Sequence, residues 1–155
     1  MIPNRIVLDT NVCLDLFVFN DPRSAALEAV LQSASVQAVT REDCRNEWLL
    51  VLAYPQFALD LQQRVVCAAR FDALITCFAA DDTGANVVAR TPLPRCKDTD
   101  DQKFLEAARD TGAAVLLTKD KALLTLAGRC RRGGLFDILV PAAWVAAQAG
   151  AATLE

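Results

Sequence analysis

Apolar residues in this chain come in two rhythms that alternate along its length. Short runs at Ile6-Val7-Leu8, Ser35-Val36-Gln37-Ala38-Val39, Ala114-Val115-Leu116-Leu117-Thr118 and Phe136-Asp137-Ile138-Leu139-Val140 have the length and composition of buried strands. Between them the apolar positions recur at helical spacing. One helix is predicted from Asn11 to about Phe19, with the Thr10-Asn11 pair as its cap, and a second from Ser24 to Ala34 through Ala26, Leu27, Val30 and Leu31. A third starts at the cap signal Thr40-Arg41-Glu42-Asp43 and stops at Tyr54-Pro55. The stretch from about Ala58 to Phe78 reads as one long helix, with Leu61, Val65, Val66, Phe71, Leu74 and Ile75 on one side and Asp60, Arg64 and Arg70 on the other.

From Ala80 to Lys97 the rhythm dissolves into loop chemistry, with Asp81 and Asp82 as solvated residues and at most a short strand at Val87-Val88. It recovers at Asp98-Thr99-Asp100-Asp101, which opens a helix carrying Phe104, Leu105, Ala107 and Ala108 inward and ending at Gly112. Ala122 to Leu126 predicts a short helix closed by Gly128, and Pro141 begins a C-terminal helix that runs to Gln148. Strands alternating with helices imply an α/β fold, a central parallel sheet covered by helices on both faces, in one domain spanning 1–155.

The polar residues at the strand ends carry the candidate chemistry. In an open parallel sheet, ligands bind in the crevice outside the carboxyl ends of the strands. Asp9 follows the first strand and Asp120 lies two residues past Thr118, the end of a later one; Glu47 sits two turns into the helix after strand two; Asp101, with Asp98 one turn before it, stands at a helix start. If the alternation holds, all of these acids converge on one edge. Carboxylates crowded together repel unless protons or cations intervene. Blander readings stay open: Asp9 and Asp120 as helix caps, Glu47 as a surface acid paired with Arg41 or Arg45, the Asp98–Asp101 run as charge favourable at a helix N-terminus, and Thr10, Asn11 and Thr118 as ordinary turn or cap residues.

Composition sharpens this picture. The chain has no histidine, which removes imidazole bases, serine–histidine triads and His-ligated metals at once. Any catalysis must run on carboxylates, hydroxyls, Lys and Arg, or on a hard cation held by oxygen, which points to Mg²⁺ or Mn²⁺. Six cysteines at wide spacings, with no Cys-x-x-Cys pair, read as reduced core residues. A net charge of −3 argues against a generally basic nucleic-acid binder but not against a local basic field. No apolar run reaches membrane-spanning length and no signal-peptide pattern opens the chain, so a cytoplasmic protein is expected.

The strings VLDTN, RNEWLL, DTDDQKFLEAA and LLTKDKAL, in this order and over nearly the whole chain, resemble the PIN-domain family of metal-dependent ribonucleases. The likeness is nearest to small bacterial PIN proteins described as toxins of toxin–antitoxin pairs. It implies a three-layer α/β/α fold in which Asp9, Glu47, Asp101 and Asp120 hold one or two Mg²⁺ or Mn²⁺ ions, and hydrolysis of single-stranded RNA by water activated there. Asn11 and Thr118 match positions that orient these acids, and Asp98 matches a further acid of this branch. A cognate antitoxin presenting an Arg or Lys to the acidic pocket, and a homodimer formed through helices, are implied by the same resemblance.

Lys119, Lys121, Arg129, Arg131 and Arg132 cluster beside the expected acidic edge, either as a rim for RNA phosphates or as a solvated turn around Gly133-Gly134. Two other functions compete: a PIN-like scaffold that binds RNA or protein without cutting, and a haloacid-dehalogenase-like phosphatase. The latter needs an Asp two residues after its nucleophile, where this chain has Asn11.

Overall fold

The structure, a computed structural model, describes residues 4–79 and 91–154, the last four by backbone alone. Five strands form one sheet: β1 (Asn4–Leu8), β2 (Val36–Arg41), β3 (Ile75–Phe78), β4 (Val115–Leu117) and β5 (Asp137–Leu139). Their order is β3-β2-β1-β4-β5, and every neighbouring pair is parallel. The helices are α1 (Thr10–Phe17), α2 (Ala25–Gln32), α3 (Glu42–Leu52), α4 (Leu61–Leu74), α5 (Gln102–Asp110), α6 (Lys121–Leu124), α7 (Ala127–Arg132) and α8 (Pro141–Leu154), with single 3₁₀ turns at Pro22–Ser24, Pro55–Phe57 and Thr99–Asp101.

Side-chain alternation along β1 divides the core in two. Ile6 and Leu8 pack on one face with Val12, Leu16, Phe17, Trp48, Phe71 and Trp144; Val7 points the other way, into Phe104, Leu105, Leu123, Phe136 and Ile138. On the first face three rings lock α1, α3 and α4 together, with centroids 6.0 Å apart for Phe17–Trp48, 6.1 Å for Phe17–Phe71 and 5.4 Å for Trp48–Phe71. Helices on both faces of a parallel sheet make the three layers expected of this pattern.

The structure departs from the predicted elements in three places. The long helix over 58–78 is shorter: α4 ends at Leu74 and Ile75–Phe78 is the edge strand β3, paired with β2. Helix passes to strand with no intervening turn residue, since Ile75 already has extended backbone (φ −123°, ψ 122°) as the C-cap. Gly128 does not close a helix but lies inside α7, and the turn follows at Gly134, whose φ of +69° suits glycine. Helix α8 runs beyond Gln148 to Leu154. The short strand considered at Val87-Val88 and the loop residues Asp81 and Asp82 lie outside the described residues. Among the described residues no helix is long and apolar enough to cross a membrane. The six cysteines are free thiols, five of them buried and Cys77 exposed on the edge strand.

Candidate metal centre

Asp9 and Thr118 sit at the ends of adjacent strands because β1 and β4 pair, and the ladder continues one step past them through Asp9 N–H donating to the Leu117 carbonyl at 2.9 Å. Asp9, and not the Thr10-Asn11 pair, is the cap of α1: its Oδ1 accepts from Thr10 N–H at 2.6 Å. Its Oδ2 accepts from Thr118 Oγ1 at 2.7 Å and from Asn11 Nδ2 at 3.3 Å. Burial pushes the Asp9 carboxyl up to about 6 against the pull of those donors from Thr118 and Thr10, and the charges of Glu47 and Asp120 push in the same direction as burial. The Thr118 hydroxyl, while donating to Asp9, accepts from Asp120 N–H at 3.0 Å, and Asn11 Oδ1 accepts from Lys119 N–H at 3.3 Å. Two polar side chains thus tie the end of β1 to the loop after β4.

Asp120 caps α6, its Oδ1 accepting from Ala122 N–H at 3.0 Å. Asp98 caps the 3₁₀ turn before α5, accepting from Asp100 N–H at 3.0 Å, and that turn delivers Asp101 to the same edge. Asp98, Asp101 and Asp120 each place a carboxylate oxygen within 4.8 Å of the others. Capping and convergence coexist here, since a cap occupies one oxygen and leaves the second.

Electrostatics show the strain of that convergence. Burial, a hydrogen bond with Asp120 and the charges of Asp9, Asp98 and Asp120 push the Asp101 carboxyl up to about 8. Asp120 moves the opposite way, held below the usual carboxylate range chiefly by the hydrogen bond from Asp101. Burial and the neighbouring acids thus favour the protonated form of Asp101 over that of Asp120.

Glu47 stands outside that trio. Its Oε2 accepts from Thr10 Oγ1 at 2.5 Å and its Oε1 pairs with Lys103 Nζ at 2.8 Å. The alternative pairing with Arg41 or Arg45 does not occur: Arg41 engages Asp43, Glu106 and Asp110, and Arg45 engages Asp72. Thr10 therefore bridges the two acids, its backbone N–H on Asp9 and its hydroxyl on Glu47. Lys103 escaped the sequence reading because its partner lies on another helix, although its place two residues after Asp101 was a usable signal.

The five predicted rim cations separate. Lys119 pairs with Asp15 at 2.5 Å and Arg131 with Asp137 at 3.1 Å. Arg132 folds over Gly128, where an added Cβ would meet its Nη1 at 3.2 Å. Lys121 and Arg129 line a cavity of about 530 Å³, which Arg95 and Lys97 also line.

An all-carboxylate donor set whose Asp101 is pushed up to about 8 by burial and its acidic neighbours fits a hard divalent cation, which would relieve that repulsion. No curated protein matches the chain. A family model described as a PIN domain matches residues 5–122, from β1 to the start of α6, so that Asp9, Glu47, Asp98, Asp101 and Asp120 all lie inside the matched span and β5, α7 and α8 beyond it. PIN domains are typically nucleases and generally use divalent metals. Because the match covers most of the sequence, the chain belongs to the PIN-domain family.

Proposed function

We propose that this protein is an endoribonuclease that hydrolyses phosphodiester bonds of single-stranded RNA with Mg²⁺ or Mn²⁺. The observation that carries the reading is the meeting of Asp98, Asp101 and Asp120 within 4.8 Å at the carboxyl edge of the sheet, with Asp9 close enough to feel Asp120. These four would hold the ion. A divalent cation there supplies Lewis-acid polarisation of a phosphoryl oxygen and a lowered pKa for water.

The chain's own residues do the rest. Thr118 and Asn11 fix the Asp9 carboxylate in one orientation through hydrogen bonds at Oδ2. Thr10 and Lys103 fix Glu47 at both of its oxygens beside Asp9. Asp101, pushed up to about 8 by burial and its acidic neighbours, would have to release a proton before its carboxylate could ligate a cation. The test is incubation of a single-stranded RNA with Mg²⁺ or Mn²⁺, alongside an EDTA control and DNA of the same sequence. RNA cleavage that EDTA stops and excess Mn²⁺ restores is expected; intact RNA in both metals would overturn the reading.

The same reading extends to biology. The protein would be the toxin of a toxin–antitoxin pair in the cytoplasm, restrained by an antitoxin that puts an Arg or Lys among the acids, and would work as a homodimer. Co-purification with a small DNA-binding protein encoded beside it tests the first, and light scattering the second.

A further inference from the structure

Most arginines of the described residues are spent on carboxylates or carbonyls: Arg5, Arg23, Arg41, Arg45, Arg70, Arg109 and Arg131 each hold such a partner. Around one cavity of about 530 Å³ the pattern breaks. Among the described residues, Arg95, Lys97, Lys121 and Arg129 line it and no carboxylate does. Among the described residues none of these four forms an ion pair. All four are exposed, so water screens their mutual repulsion, but together they set up a local positive field at this opening that would attract an anion.

The cavity is also built. Cys96 is buried in the core while Arg95 and Lys97 on either side of it are exposed, the alternation of an extended segment. The Gln102 side chain holds that segment twice, Oε1 accepting from Cys96 N–H at 2.7 Å and Nε2 donating to the Pro94 carbonyl at 3.1 Å. Lys121 and Arg129 come from α6 and α7, and Leu126 between them also lines the space. Position couples it to the acids, because Lys97 precedes Asp98 and Lys121 follows Asp120 in the chain.

We infer that this cavity is a subsite for backbone phosphate, holding the strand beside the bond to be cut. The identity of the bound strand rests on the nuclease reading; the choice of a phosphate-bearing polyanion rests on the four cations, which have no ion-pair partner among the described residues. Such a subsite accounts for how an acidic protein retains an acidic substrate, and it acts on every sequence alike because phosphates carry no base information.

Binding of a fluorescent single-stranded RNA, measured by anisotropy in EDTA across a salt series, tests it without any cleavage. Lys97→Glu/Arg129→Glu is expected to weaken binding at least ~10-fold and to make the log–log salt slope shallower by roughly 1.4, the loss of two phosphate contacts on a single strand. Arg23→Glu/Arg45→Glu, the same change in net charge elsewhere, should leave the slope unaltered. If circular dichroism shows the first double variant unfolded, Lys97→Gln/Arg129→Gln replaces it, with the same direction of change. Equal losses in the cavity and control pairs, or no binding by the wild type, overturn the subsite. Cleavage in Mn²⁺ with cavity-insensitive binding removes the subsite and keeps the nuclease; cavity-dependent binding without cleavage does the reverse.

Discussion

Two places in this molecule bring three carboxylates together, and they differ in who supplies the positive charge. Asp43, Glu106 and Asp110 surround the Arg41 guanidinium at 2.5, 3.1 and 2.6 Å. There Asp43 is held below the usual range by Arg41 despite its burial, and Arg41 is pushed well above its own. Asp98, Asp101 and Asp120 bring a carboxylate oxygen each within 4.8 Å of one another, yet among the described residues none of the three has an ion-pair partner. The first group is closed on itself and serves the fold. In the second, with no such cation among the described residues, burial and the neighbouring acids push the Asp101 carboxyl up to about 8, the electrostatic signature of a group that an external cation would relieve.

The two groups respond oppositely to substitution. Asp101→Asn should cut RNA hydrolysis at least ~100-fold while leaving the metal-free protein folded, because a neutral amide takes the place of a carboxyl that burial and its acidic neighbours already push toward its neutral form; a gel assay beside a thermal melt checks both. Full activity in Asp101→Asn would move the role to Asp98. Arg41→Ala should do the opposite, lowering stability by about 1–3 kcal/mol in urea titration, while the rate per folded molecule holds. Unchanged stability would show that the three acids around Arg41 are no more tightly balanced than surface charges.

Thr118→Val sharpens the comparison from within the acidic edge. It removes the donor to Asp9 and the acceptor of Asp120 N–H together, so a stability loss of about 1–2 kcal/mol and a fall in Mn²⁺ affinity of roughly 10–100-fold are expected from calorimetry. Thr118→Ser should restore both.

The smallest expected signal is the dependence on pH. Asp9 and Asp101 bind protons more tightly in the folded chain, at about 6 and about 8, than in the unfolded one. Folding therefore takes up protons between about pH 4 and these values, and the stability they contribute is present at the acid end and lost as pH rises through that window. In EDTA the melting temperature should fall from pH 5 to pH 8, and Mn²⁺ should flatten the fall. Asp21, Asp43 and Asp120 are shifted downward and act below this range. A melting temperature that rises across it in EDTA would contradict the upward shifts of Asp9 and Asp101.

The fold was legible where the physics is local. β1, β2 and β4 are buried on both faces and announce themselves as apolar runs; the acids at their ends follow from chain order. β3 was hidden because an edge strand needs only part of its side chains buried, and Thr76 and Cys77 face outward in a stretch that also satisfies helical spacing. Glycine at 128 concealed α7, since its Cβ-less backbone is tolerated under the Arg132 side chain. The pairing of Glu47 with Lys103 depends on the packing of α3 against α5, and Arg95 and Lys97 gain meaning only when α6 and α7 bring Lys121 and Arg129 to the same cavity. No one-dimensional pattern carries either.

The missing imidazole has a practical corollary for anyone titrating this molecule. All six thiols are displaced upward, out of the neutral range, and there is no histidine ring to ionise. Among the described residues, the carboxyls of Asp9 and Asp101 are the side chains pushed up toward neutrality. Buffer-dependent heats of ion uptake, or a carbonyl-stretch difference spectrum, would report on those two groups with little other background.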